Sequence, residues 1–296
     1  MAKMMRWIRS HPRTKAALLA VIATFVGVAV LVFSSVSRSD ATQQTFKETP
    51  PIPSAVNLTL ALDSIDTTTG TIHLRLDATP GPRLSPAGAV VFTSIGEIPT
   101  IPVAPNVDSQ EQDATTLFQK GDVSSYPFED YGSSIRLAAF EGTAPIVPTS
   151  NTRPKVALNV HGVSNLAGFN PTAQVEVGKD GTSTIILQVR RTVGTRAWVV
   201  VMMAIYWVVA LGAVAVAVMV VRRKRQWDTG LLLWLGALIF ALFSFRTAAP
   251  GNPPTGTVLD YYAVFEAVGI VVATLIVLII HYVVQPPERL NMTPPP

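Results

Sequence analysis

Between residues 197 and 221 the chain carries no charged side chain, while Arg190, Arg191 and Arg196 stand before the run and Arg222, Arg223, Lys224 and Arg225 directly after it. About 20 apolar residues cross the hydrocarbon core of a bilayer as a helix, at about 1.5 Å of rise per residue. The pattern predicts a transmembrane helix over 197–221. Lys and Arg next to a span accumulate on the untranslocated side, so the basic cluster marks the cytoplasmic end. The residues before the span are then expected outside.

The same reasoning divides the rest of the chain. Residues 1–15 hold Lys3, Arg6, Arg9, Arg13 and Lys15 with no acid, a basic cytoplasmic N-terminus. The apolar run 16–34 exceeds the roughly 7–15 residues of a signal-peptide core and ends in Ser34, Ser35, Val36, Ser37 without an Ala-x-Ala site. It is expected to be a retained transmembrane anchor. Residues 35–55, with Pro50, Pro51 and Pro53, form a linker. After the basic cluster come a cytoplasmic turn over 222–228, a transmembrane helix over 229–248, an external loop over 249–261, a transmembrane helix over 262–284 and a cytoplasmic tail over 285–296. Trp198, Trp227, Tyr261, Tyr262 and Tyr282 lie near span ends, where amphipathic rings are favoured. Ala213 with Ala217, and Ala237 with Ala241, suit close packing of one helix on another.

Residues 56–195 read differently. Leu58, Leu60 and Leu62 alternate with polar or small residues, and Ile72, Leu74 and Leu76 do so again after 66–70. A period of two with a turn between is a β-hairpin with one buried face. Further strands are expected over 89–94, 134–140, 156–161, 173–177 and 184–190, while 98–112, with Pro99, Pro102 and Pro105, reads as a loop. The fold class follows: a membrane all-α bundle plus an extracytoplasmic all-β domain, four transmembrane helices with an antiparallel β-sandwich of seven or eight strands between the first and second.

The charge balance has no nucleic-acid meaning. The net +4 arises at the membrane flanks, since residues 35–195 hold 11 Lys or Arg against 15 Asp or Glu, and no basic face remains on the folded domain. Cysteine is absent, which excludes disulfides, thiolate metal sites and thiol nucleophiles. His73 and His161 lie on separate expected strands with no partner at ligand spacing, and the acids Glu111, Asp113, Asp122, Glu129 and Asp130 lack an EF-hand pattern. No Gly-x-Ser-x-Gly elbow or phosphate-binding glycine loop is present. No catalytic residue, metal or cofactor is expected. The partners expected are membrane lipids and either another membrane protein or further copies of this chain.

Two features at the membrane boundary stand out. Tyr126, Pro127, Phe128, Glu129, Asp130, Tyr131 places three aromatics and a proline around an acidic pair, a structural corner against the sheet. Arg246, Asp260 and Glu266 flank the outer loop; a lone charge near lipid is costly, so Arg246 is expected to pair with Asp260 or Glu266.

Anchor, β-rich domain, the Tyr126–Tyr131 motif, the Arg190–Arg191 pair and closely spaced C-terminal spans together resemble an actinobacterial membrane-protein family of unknown function, family 4436, over residues 55–284. Glu129 stands where that motif has Asp. The resemblance implies no reaction. A more distant likeness is to pentameric ligand-gated channels, in which an aromatic-Pro-Phe-acid loop couples a β-sandwich to the pore; it would bring Tyr126, Pro127, Phe128 and Glu129 near Arg191 and the loop between Arg246 and Asp260. A pore-lining helix needs polar residues along one face, and 231–245 offers only Ser244. The expected function is thus a non-enzymatic accessory or interaction subunit of a bacterial envelope complex. A channel-like sensor is the alternative, and a lipid- or glycan-acting enzyme a third reading.

Overall fold

Alternating leucines build the first long hairpin of the protein. A computed structural model describes residues 27, 34, 44–45, 55–107, 110–143, 153–164, 166–178, 181–222 and 230–284. Strand β1 is Gln44–Thr45; β2 (Val56–Asp66) pairs antiparallel with β3 (Thr71–Pro80), setting Leu58, Leu60 and Leu62 opposite Ala78, Leu76 and Leu74, all six buried. The turn is closed by Asp66 Oδ1, which accepts from the Thr68 and Thr69 amides at 2.8 and 3.2 Å, and by Gly70 at φ +72°. A bulge after Leu62 interrupts the pairing before Ser64.

The remaining strands are β4 (Ala89–Thr93), β5 (Thr100–Val103), β6 (Gln110–Leu117), β7 (Asp130–Glu141), β8 (Lys155–Val156), β9 (Leu158–Ser164), β10 (Phe169–Val177) and β11 (Ser183–Arg191). One sheet has the order β1-β9-β2-β3-β6; the other runs β10-β11-β7-β4-β5, with β8 also on β7. The inner faces share one core, in which Leu58, Leu60, Ile72 and Leu74 of the first sheet cluster with Val91, Ile135, Leu137, Ile185 and Leu187 of the second. Each such side chain contributes about 1.5–3 kcal/mol by leaving water.

Two expectations for this domain need correction. The sandwich is not wholly antiparallel: β2 and β9 run parallel, from Val56 opposite Leu158 to Leu62 opposite Ser164. The chain crosses from the second sheet to the first at Ala157, between β8 and β9, and the intervening strands supply the long return that a parallel pair requires. The expected loop 98–112 contains β5 and the start of β6. Pro102 is tolerated because β5 is an edge strand whose outer side needs no donor. β6 is also an edge, with Ala114 its one fully buried side chain among the described residues, so its sequence shows no apolar alternation.

Residues from 199 onward form a second compact unit. Its elements are helix α1 (Val193–Val221), which begins in the first unit, helix α2 (Gly230–Arg246), and a π-helical turn Asp260–Val264 continued by helix α3 (Phe265–Val284). The four-span architecture is corrected here. Three α-helices are described along their length, and two helical stretches, Val193–Val221 and Asp260–Val284, are the ones among the described residues long and apolar enough to cross a membrane. Helix α2, expected to span over 229–248, has 17 residues, about 26 Å against the roughly 30 Å of a hydrocarbon core. It stops because Arg246 turns toward Asp260, and Thr247, Ala248 and Ala249 tighten into bonds to residues three back. The expected anchor over 16–34 lies outside the described residues except for Gly27 and Ser34. A sandwich between the first and second of four spans is therefore not the architecture found.

Leu60→Ala should cost about 2–5 kcal/mol through the cavity it leaves at the centre of β2, read as a lowered thermal midpoint of the full chain in mild detergent. An unchanged midpoint would contradict the placement of Leu60 in the core.

Candidate functional site

Register alone gathers the charged residues at one end of the second sheet. β7 starts at Asp130, opposite Arg190 near the end of β11, while Arg191 lies opposite Phe169, the first residue of β10. Successive side chains on a strand point to opposite faces, so Arg190 and Arg191 part company. Arg190 faces solvent and donates from Nη2 to Asp130 Oδ2 at 2.7 Å. Arg191 turns inward and donates from Nε to Glu129 Oε1 at 2.6 Å, with both side chains buried.

The buried guanidinium also lies over two rings, with Cζ 4.0 Å from the Phe169 centroid and 5.3 Å from that of Tyr126. A cation over an aromatic face is attracted by the ring quadrupole, by about 2 kcal/mol when desolvated. The Tyr126–Pro127 peptide bond is cis, and Tyr126 is wholly buried. A 3-10 turn, Val123–Ser125, leads into the corner and is capped by Asp122, whose Oδ1 accepts from the Ser124 amide at 2.9 Å and whose Oδ2 accepts from its hydroxyl at 2.6 Å. Tyr131 stacks on Phe118 at 4.4 Å, and a side chain at Gly121, φ +139°, would run into the Tyr131 ring. Phe128 is the outward member of the motif, 54% exposed.

From Arg191 the chain enters α1 at once. Thr192 is the N-cap: its Oγ1 accepts from the Thr195 amide at 3.3 Å and lies 2.9 Å from the Thr195 hydroxyl. Among the described residues three polar atoms of this region are buried without a partner: Glu129 Oε2, Tyr131 Oη and Arg196 Nε. Burial, with the Glu129 charge adding to it, pushes the Tyr131 phenol up from its ordinary pKa. The Asp130 carboxyl is held below its ordinary value chiefly by the hydrogen bond from Arg190; burial opposes this, and the charges of Arg190, Lys120 and Arg196 each add a smaller lowering.

A second network lies in the second unit. Arg246 donates from Nε to Asp260 Oδ1 at 2.9 Å and from Nη2 to Asp260 Oδ2 and the Pro254 carbonyl at 3.1 and 2.7 Å. Asp260 Oδ2 also accepts from the Gly256 amide, the Thr257 amide and the Thr257 hydroxyl at 2.9, 3.1 and 3.2 Å. The Trp207 indole donates to the Tyr262 carbonyl inside the π turn at 3.0 Å, and the Tyr206 hydroxyl donates to the Leu242 carbonyl at 2.9 Å.

Of the residues singled out in the sequence, Tyr126, Glu129 and Arg191 thus meet in one buried cluster, with Pro127 and Tyr131 completing the corner. Arg246 meets Asp260. Glu266 is exposed and forms no ion pair with Arg246. The acids considered for a cation disperse: Glu111 pairs with Arg75, Asp122 caps the turn, and Asp130 pairs with Arg190. Among the described residues no group of three or more His, Asp or Glu is arranged to hold a metal. Phe169, Phe118 and Gly121 escaped sequence reasoning, for each matters only through a contact distant in the chain. Thr192 carried a signal, a Thr three residues ahead of Thr195 at the start of an apolar run.

Comparison with known families divides the chain at this same point. Residues 46–189 match the family model described as Domain of unknown function (DUF4436). Residues 191–285 match a separate one, Domain of unknown function (DUF8686). The resemblance expected over 55–284 therefore narrows for the first family to the β-domain. No curated protein matches the chain.

A carboxylate with a depressed pKa stabilises the fold at pH above its unfolded value, near 4, and that contribution is lost as pH falls through the folded value. Asp130→Asn should accordingly lower the thermal midpoint at pH 7, with the gap to wild type closing below about pH 4. A gap that stays constant down to pH 3 would contradict the Arg190–Asp130 assignment.

Proposed function

We propose that this chain is a non-enzymatic integral membrane protein of the bacterial cell envelope, an accessory or interaction subunit whose β-domain stands outside the membrane and meets a protein partner. The observation that carries the membrane reading is the exposure of large apolar side chains on the helices, with Leu233 78% and Phe240 77% exposed and Trp207, Val208, Leu211 and Val283 also open. Helices in the core of a soluble domain would bury these groups. The basic cluster 222–225 favours an orientation with that end in the cytoplasm. Support for an interaction role comes from the charges of the β-domain corner, which are spent on one another, and from Phe128, which projects as an apolar contact point.

A channel-like sensor is the second reading. It is favoured by the corner residue Glu129 meeting Arg191, the pairing expected from the distant likeness to pentameric channels. It is disfavoured by α2, where Ser244 is the one polar side chain between Gly230 and Arg246.

Purification of the complex from its native membrane in mild detergent, followed by measurement of its mass and composition, separates the readings. The expected result is this chain with a different membrane protein at fixed stoichiometry. A ring of this chain alone would favour the channel reading, and a lone monomer would overturn the interaction role.

A further inference from the structure

Within the second unit the C-terminal half of α1 and the middle of α3 leave an open groove of about 420 Å³ between them. Its walls include Ala217 and Val218 on α1 and Ile270, Ala273 and Val277 on α3, and Arg222 stands at one end. The single hydroxyl on the wall, that of Thr274, is already used, donating to the Ile270 carbonyl at 2.7 Å. Nothing along the cleft asks for a polar ligand. Its volume lies within the roughly 300–1,000 Å³ of sites for small apolar ligands. Left empty, its lining would forfeit dispersion contacts on one side.

The charge at the end decides among occupants. Arg222 forms no ion pair among the described residues, and it opens the sequence Arg222, Arg223, Lys224, Arg225, opposed before residue 230 only by Asp228. The acids of the described helices in this unit, Asp260 and Glu266, lie at the start of the Asp260–Val284 helix, away from Val277. An apolar helix laid in the groove would bring no anion to Arg222. A lipid brings both parts at once, an acyl chain for the cleft and a phosphate for the guanidinium. Four or more basic residues directly after a membrane helix, and basic pockets between such helices, are the usual setting for anionic headgroups.

We propose that the groove between α1 and α3 binds an anionic phospholipid, its acyl chain along Ala217, Val218, Ile270, Ala273 and Val277 and its phosphate on Arg222. The inference rests on the membrane reading above and extends it to a specific ligand class. Arg222 is exposed and lines the groove at the end of α1, where a long basic side chain can keep its stem on apolar surface and its charged head toward a membrane edge.

The test uses the full chain, purified in mild detergent, stripped of lipid and titrated with palmitoyl-oleoyl phosphatidylglycerol or the matching phosphatidylcholine, with bound lipid counted by native mass spectrometry. Wild type should retain phosphatidylglycerol over phosphatidylcholine. Arg222→Gln should weaken phosphatidylglycerol binding about fivefold, the equivalent of about 1 kcal/mol for one basic residue at a lipid surface, with Arg222→Lys close to wild type. Ala273→Leu, which fills the cleft, should reduce retention of both lipids. Equal retention of the two lipids by wild type, or no change in Arg222→Gln and Ala273→Leu, would overturn the proposal. Because the chain has no cysteine, Val218→Cys in native membranes treated with a copper–phenanthroline oxidant gives a clean test for a second copy: efficient disulfide dimers would overturn the lipid assignment in favour of self-association. Fractionation keeps the two claims apart. A chain that sediments with membranes yet shows no lipid preference loses the lipid site alone, and a chain recovered in the soluble fraction loses both.

Discussion

Arg191 carries a positive charge into the protein interior at the last residue of β11, and Glu129 meets it there at 2.6 Å. Removing two such charges from water costs several kcal/mol for each, so the arrangement persists only where geometry and added contacts offset the loss. Here the offset comes from a short charged hydrogen bond and from the faces of Phe169 and Tyr126. The pair joins the corner before β7 to the end of β11 and the start of β10. Its more open counterpart, Arg190 with Asp130, leaves 56% of the arginine side chain and 33% of the acid's exposed and adds less for that reason. Thr192 then starts α1 within one residue of the buried cation.

The second unit uses the same device with a different layout. Arg246 ends α2 and Asp260 begins the π turn, and Arg246, the Gly256 amide and both the amide and hydroxyl of Thr257 donate to the Asp260 carboxylate. That convergence fixes where the long apolar helix begins. It also explains why α2 is cut short at 17 residues. Beyond this network the helices display their apolar side chains outward, which is the feature that most separates this unit from a soluble helical domain.

What could be read from the sequence follows from physical range. Alternation is a local property, so β2 and β3 were visible through Leu58 to Leu62 and Ile72 to Leu76. The Tyr126–Tyr131 corner was legible from its proline and three aromatics around an acidic pair, and the Arg246–Asp260 pair because rare charges near apolar segments demand partners. β6 was not, since an edge strand with one buried side chain has no periodic signature. The parallel pairing of β2 with β9 depends on where a distant segment returns, and local pattern carries no such information. The expected third span failed because composition marked an apolar run while the tertiary pull of Asp260 on Arg246 set its end. Phe169 could not have been assigned to Arg191 without the antiparallel register of β10 and β11 that sets them opposite each other.

The interdependence of Arg191 and Glu129 is the claim on which the rest stands, and a double-mutant cycle measures it directly. Thermal unfolding of the full chain in mild detergent would be compared for wild type, Glu129→Leu, Arg191→Met and the two together. Breaking a buried pair from one side strands a charge at a cost of about 3–5 kcal/mol, whereas replacing both partners by apolar groups costs far less. The account expects the double variant to melt above either single variant. Losses that simply add, leaving the double variant the least stable of the four, would contradict it.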